Sequence, residues 1–313
     1  METILILGGF GFIGTNIIKY IDSHYSNTYR IIVFDRVAQH PHGIKFCSVC
    51  KTYSGDFSDE TSINRIFDEN KIDYVIHLIS ATCPTNSSNP QYDIEANLIP
   101  TIKLLQLMVK YSVKHIIFIS SGGAIYGDTA ENTCHTENDA TFPISSYGII
   151  KLTIEKYIIL FSKINNMIPL ILRLSNPYGP YHYSDKQGIV NVALRHAINN
   201  KPIQIWGDGS AEKDYIYIYD FVRILLTLMQ HKHKNTIYNI ASGYVLSVNA
   251  IIDAIKTFVP TIQCSYTKSN VNDVQHVTLS TKRLEDEIGH FKFTEFSEGL
   301  SKTYTWLLSQ KIN

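Results

Sequence analysis

At 313 residues the chain exceeds one typical domain, and its 28 lysines and arginines balance 28 aspartates and glutamates, so no bulk field favours nucleic acid or an anionic membrane. Five scattered cysteines fit a reducing compartment better than a disulfide framework. No basic leader precedes the first apolar run, and no stretch approaches the roughly 20 apolar residues that span a bilayer. A soluble, cytoplasmic protein acting on a small molecule is expected.

In chain order, Thr3 to Leu7 reads as a buried parallel strand, and it runs straight into Gly8-Gly9-Phe10-Gly11-Phe12-Ile13-Gly14. Glycines in that spacing, between a strand and a helix, form the turn that delivers a pyrophosphate to a helix N-terminus. A second strand, Ile31 to Phe34, ends at Asp35, 21 positions after Gly14. There a carboxylate accepts the adenosine ribose hydroxyls and repels a 2′-phosphate, which selects NAD over NADP. Arg36 follows directly. His40, His42, Cys47 and Cys50 then crowd one loop, and Cys47-x-x-Cys50 has zinc-ligand spacing, but no second such pair exists and no metal is expected.

Strands follow at Tyr74 to Ile79, His115 to Ile119 and Ile168 to Leu174, with helical stripes between them at Leu98, Ile102, Leu105 and Val109 and at Ile150, Ile154, Ile158 and Phe161. This alternation predicts an α/β fold, a Rossmann-type doubly wound parallel sheet. Tyr147 and Lys151, at i and i+4, share one helix face. There the ammonium favours the phenolate and makes Tyr147 a proton acceptor near neutral pH. Beyond Leu174 come Asn176-Pro177-Tyr178-Gly179-Pro180, a helical run from Ile189 to Ile198, a turn at Trp206-Gly207-Asp208-Gly209, a helix from Phe221 to Met229 and a return strand from Thr236 to Ile240. The expected division is 1–174 plus about 218–244 for the dinucleotide, and about 175–217 plus 245–313 for a smaller, discontinuous substrate domain.

These residues resemble the extended short-chain dehydrogenase/reductase family, in particular its nucleotide-sugar epimerases and dehydratases. The likeness extends over nearly the whole chain. Besides the glycine turn and the Tyr147/Lys151 pair it includes Asp56-Phe57, His77-Leu78-Ile79-Ser80, Asn97, Ser120-Ser121-Gly122-Gly123-Ala124-Ile125-Tyr126-Gly127, Arg173 through Pro180, Asp214-Tyr215-Ile216-Tyr217 and Asn239 through Gly243. The resemblance implies that Asp56 and Phe57 flank adenine, that Leu78, Ile79, Ser80, Asn97 and Ser120 line the dinucleotide, and that Lys151 holds the nicotinamide ribose. It also implies a substrate set of Ser121, Gly122, Tyr147, Asn176, Gly188, Ile189, Gln204, Trp206, Lys213 and Val277, with the Asn176 amide on the diphosphate, and a homodimer joined through the helices around Leu98 to Val109 and Ile150 to Phe161.

Four positions depart from the family pattern. Gly122 stands where the catalytic serine or threonine falls, leaving Ser121 as the nearest hydroxyl. Lys213 replaces an arginine, as does Asn270 near Asp273, and Val271 replaces the proline that would fix the register there. Gly123 and Ala124 stand where sugar dehydratases carry an Asp-Glu pair, so dehydration lacks its proton carriers. The expectation is an NAD-dependent 4-epimerase of a UDP-hexose or UDP-N-acetylhexosamine, working through a transient 4-keto sugar. A 4-keto-sugar reductase and a non-catalytic NAD-binding homologue are the alternatives. Val277 aligns with a tyrosine that narrows the sugar pocket in enzymes specific for unmodified hexoses, so room for an acetamido group is expected.

Overall fold

The computed structural model describes the chain except at residues 85, 86, 88, 128–133, 186, 269–273, 275, 312 and 313. The expectations for Asn270, Val271 and Asp273 therefore lie outside the described residues. In chain order the strands are β1 (Glu2–Leu7), β2 (Tyr29–Asp35), β3 (Val49–Ser54), β4 (Tyr74–His77), β5 (His115–Ser121), β6 (Ile168–Leu174), β7 (Asn176–Tyr178), β8 (Ile203–Trp206), β9 (Glu212–Tyr217), β10 (Ile237–Ile240), β11 (Val245–Ser247), β12 (Cys264–Thr267) and β13 (His276–Val277).

Seven strands form one sheet in the order β10-β6-β5-β4-β1-β2-β3. The order reverses beside β1, whose parallel neighbours are β2 and β4. Because Leu7 is in register with both Phe34 and His77, these three strands end together and the residues that follow them meet at one edge. The Gly8 N–H closes on the Phe34 carbonyl (2.8 Å) and the Leu78 N–H on the Leu7 carbonyl (3.0 Å). Such a reversal is where doubly wound sheets open a ligand crevice. β1, β4 and β5 read as uninterrupted apolar runs because helices cover both faces of the sheet.

By compactness the chain divides into two units, 1–120 with 145–172 and 235–237, and 121–144 with 173–234 and 238–313. The core of the first gathers Leu5, Phe34, Val75 and Phe118 from the sheet with Leu104, Met108, Ile154 and Ile158 from the covering helices. That of the second gathers Leu194, Ile205, Tyr215, Ile251 and Leu300. The Ile218–Gln230 helix falls in the second unit, because it continues directly from β9 and packs on β9 and β7.

One irregularity shapes the first unit. The helical segment from Pro90 to Lys110 carries a π-turn over Ile94–Leu98. Extra-wide turns of this kind recur at functional sites. Here it aims Asn97 at the loop after β4: its Oδ1 accepts the Ala81 N–H (2.7 Å), and its Nδ2 donates to the Asp93 carbonyl (3.1 Å).

Among the described residues no helix is long and apolar enough to cross a membrane. In the loop after β2, His40 turns inward to Thr15 (3.1 Å), and burial with the charges of His42 and Lys19 lowers it to about 4. The Cys50 thiol bonds the Ile31 carbonyl (3.3 Å) and Cys47 is exposed.

Candidate active site

The first unit contains a cavity of about 480 Å³ at the strand-order reversal. Of the residues expected to hold the dinucleotide, Gly8, Gly11, Asp35, Arg36, Asp56, Phe57, Leu78, Ile79 and Ser80 line it. Phe10, Tyr92 and Glu95 line it too and were not singled out from the sequence, where no spacing or motif marks them as ligand contacts.

The glycine turn suits a pyrophosphate for reasons visible in its backbone. Gly8 sits at φ +81°, a conformation that side chains rarely adopt. A Cβ on Gly14 would stand 2.6 Å from the Gly9 Cα and carbonyl oxygen, so only glycine lets the Phe12–His24 helix approach the turn this closely. Gly11 caps that helix without a side chain, and Phe12 and Ile13 open its first turn. Asp35 closes the arrangement, its Oδ2 accepting the Phe10 N–H (2.9 Å) and its Oδ1 the Arg36 N–H (2.8 Å). Asp56 is held by the N–H (2.8 Å) and hydroxyl (2.6 Å) of Ser58, which lower its carboxyl below the usual range. A bare turn at a helix N-terminus with an anchored carboxylate opposite fits NAD. Asn97 belongs to this site indirectly, holding the wall at Ala81.

The Ser146–Asn165 helix starts where it does because Ser145 caps it, its hydroxyl accepting the Gly148 N–H (3.2 Å). The cap places Tyr147 half-buried in the first turn and Lys151 one turn further in. Lys151 is buried, donates to the Ile119 carbonyl (2.9 Å), and lies 4.8 Å from the Phe118 ring centroid and 5.7 Å from that of Tyr147. Burial lowers this ammonium to about 8 while the Glu155 charge acts in the opposite direction. A cation close to neutrality beside a phenol is what a proton acceptor requires.

The two serines at the end of β5 separate in role. Ser120 is buried and its hydroxyl donates to Glu155 (2.5 Å). Ser121 stands at the N-cap of the Gly122–Ile125 turn and makes no side-chain capping bond.

In the second unit, a Cβ on Gly122 would collide with Leu279 Cδ1, so a leucine fills the space that a side chain at this position would need. Lys213 on β9 and Val277 on β13 are register partners, and Val277 is buried. Asn176 donates to the Asp214 carbonyl (2.9 Å), which leaves its second N–H and its oxygen for a ligand. Asp214 is itself buried, which pushes its carboxyl up, and it accepts the Ser242 (3.0 Å) and Gly243 (2.6 Å) amides. Gly188, at φ +84°, caps the helix that begins at Ile189. Gln204 and Trp206 point outward from β8 and are exposed.

A doubly wound sheet, a glycine turn with its aspartate and a tyrosine–lysine pair on one helix face are the features of a dinucleotide-dependent enzyme. The family model described as the NAD dependent epimerase/dehydratase family matches residues 4–241, and the chain belongs to that family. Its cofactor is NAD and its chemistry is that of nucleotide-sugar metabolism. The chain is 30% identical over 308 residues to a provisionally named UDP-glucose 4-epimerase of Methanocaldococcus jannaschii, covering 97% of this chain and 98% of that protein. It is 30% identical over 256 residues to the dTDP-4-dehydro-6-deoxyglucose reductase of Escherichia coli, covering 81% and 80%. The structure of Thermotoga maritima UDP-glucose 4-epimerase with UDP-glucose superposes with a TM-score of 0.90 at 28% identity, covering all of both chains.

Proposed function

We propose that this protein is an NAD-dependent nucleotide-sugar 4-epimerase acting on a UDP-hexose or UDP-N-acetylhexosamine. The observation that carries this reading is the buried Lys151 ammonium held beside the Tyr147 ring. Tyr147, favoured as phenolate by Lys151, takes the proton of the sugar 4-hydroxyl and returns it after the 4-keto sugar has turned over. NAD, when bound, supplies a hydride acceptor and then the donor. Residues 1–174 with about 218–244 serve the dinucleotide in this reading, and about 175–217 with 245–313 the nucleotide-sugar.

Gly123 and Ala124 carry no ionisable group for water elimination, which supports epimerase over dehydratase. The E. coli reductase relative favours one second reading, a 4-keto-sugar reductase using the same pair. Incubating the purified protein with UDP- and dTDP-sugars, without added cofactor, and following stereochemistry by NMR separates the two. Interconversion of 4-epimers supports the proposal, whereas turnover only with added NAD(P)H supports the reductase and overturns it.

With Gly122 bare and the Ser120 hydroxyl bonded to Glu155, Ser121 is the proposed hydroxyl partner of the reacting oxygen. Ser121→Ala is expected to lower kcat on the order of 10²-fold, measured by steady-state kinetics. An unchanged kcat would leave Tyr147 acting without it.

Val277 is proposed as the gate that admits an acetamido group. In Val277→Tyr, kcat/KM for UDP-N-acetylglucosamine relative to UDP-glucose is expected to fall about tenfold or more, a steric penalty of the usual size for a filled pocket. A ratio that stays put removes Val277 from sugar selection.

We also propose a homodimer. The stripes that the sequence offered as its face are largely spent on the sheet, since Leu105, Ile150, Ile154 and Ile158 are buried in the core of the first unit. The apolar residues those helices leave exposed are Ile99, Val109, Ile149, Leu160 and Ile164.

A further inference from the structure

Glu155 is fully buried, a rare place for a carboxyl group without a purpose or a partner. It continues the spacing of the reactive pair, so that Tyr147, Lys151 and Glu155 follow at successive turns of one helix face. Three consecutive residues of β5 hold this row from the sheet side. The Phe118 ring lies under the Lys151 ammonium (4.8 Å), the Ile119 carbonyl accepts from it (2.9 Å), and the Ser120 hydroxyl donates to Glu155 (2.5 Å).

We infer that Glu155, oriented by Ser120, is a positioning residue that keeps Lys151 in its ammonium form and thereby sets the pH range over which Tyr147 serves as proton acceptor. The inference rests on the proposed roles of Tyr147 and Lys151. The surroundings of Lys151 leave few other sources of negative charge. On its own helix it faces Tyr147 and Glu155, and from β4 it faces His77, which burial and the Lys151 charge lower to about 3, so that it is neutral. β5 contributes a ring and a carbonyl. The Pro90–Lys110 segment packed on this helix brings Asp93, whose carboxyl takes the Ser87 hydroxyl, and the uncharged Asn97 and Thr101. Desolvation pulls the ammonium down to about 8, and the Glu155 charge opposes it. Because a cation near neutrality is stabilised by that charge, removing the charge lowers its titration midpoint, and the active form is lost at lower pH.

The test is Glu155→Gln, which keeps the shape and an oxygen for Ser120 but removes the charge. With NAD-loaded protein carrying 13Cε-lysine, NMR titration follows Lys151 directly, its signal recognised by absence in Lys151→Ala. The midpoint is expected to drop by about a unit or more in Glu155→Gln, the usual size for loss of an opposite charge nearby. Alongside it, the alkaline limb of kcat with UDP-glucose moves down, giving about a fivefold or larger loss at pH 8 with kcat at pH 6.5 within about twofold of the parent. An unmoved midpoint, or a loss equal at every pH, overturns the inference. Should Glu155→Gln fail to fold, Ser120→Ala decides the matter by the same titration: a downward shift supports the role of Glu155 and an unchanged midpoint refutes it. If Lys151→Ala turns over normally, the assignment of Lys151 to catalysis is what fails, while the NMR titration still reports on the coupling of Glu155 to Lys151.

Discussion

Tyr147→Phe is expected to lower turnover by at least 10²- to 10⁴-fold, the range for removal of a positioned proton-transfer group, while NAD remains bound. The substitution deletes one hydroxyl and little volume. Tyr147 is half-buried in the first turn of a helix fixed by the Ser145 cap, so the fold has no reason to change. The cofactor cavity is lined by the glycine turn, the end of β2, the loops after β3 and β4 and the 92–96 stretch, and Tyr147 is not among its lining residues. Steady-state kinetics and the NAD content of the purified variant check both halves of the expectation. Wild-type turnover in Tyr147→Phe would move the proton acceptor elsewhere, and loss of NAD would make Tyr147 part of the binding site first.

Gly14→Ala should have the opposite profile, losing NAD first and activity as a consequence. The added methyl has backbone on its far side, at 2.6 Å from Gly9 Cα and carbonyl oxygen and 2.7 Å from the Gly8 carbonyl oxygen. A side chain can swing away from such a contact, but a turn held between β1 and the Phe12–His24 helix must open. Overpacking of this sort costs on the order of 1–3 kcal/mol of stability. It also moves the N–H groups meant for the pyrophosphate. Calorimetric titration with NAD and a thermal melt measure the two effects. NAD affinity equal to the parent's would show that the turn yields without harm.

The sheet was legible because strands buried on both faces leave apolar runs, and β1, β2, β4, β5 and β6 were all found this way. β3 escaped, since an edge strand with Lys51, Thr52 and Ser54 turned to solvent carries no such run. So did β7, β11 and β13, of two or three residues each, too short for any period to register. The π-turn left no trace either, because a wider helical turn is imposed by packing and has no residue code of its own.

For the site, the glycine spacing, Asp35 and the Tyr147/Lys151 pair were visible because their chemistry demands residue types at fixed separations. Glu155 was not. An acidic residue one turn beyond a lysine reads as a surface ion pair, and only the position of β5 beside the helix reveals it as interior. Likewise, the spacing of Ser120 and Ser121 could not say which hydroxyl was already taken.

Asp35 ties cofactor preference to local order in a way that limits how this enzyme could change. Its carboxylate is proposed to select NAD by charge, and both its oxygens also fasten the glycine turn through the amides of Phe10 and Arg36. A lineage drifting toward NADP would ordinarily exchange this residue for a small neutral one. Here that step removes two anchoring hydrogen bonds from the turn before any 2′-phosphate has been gained, so the intermediate form is expected to bind both dinucleotides poorly. The route open to such a change begins with a second residue able to anchor Phe10, and only then replaces Asp35.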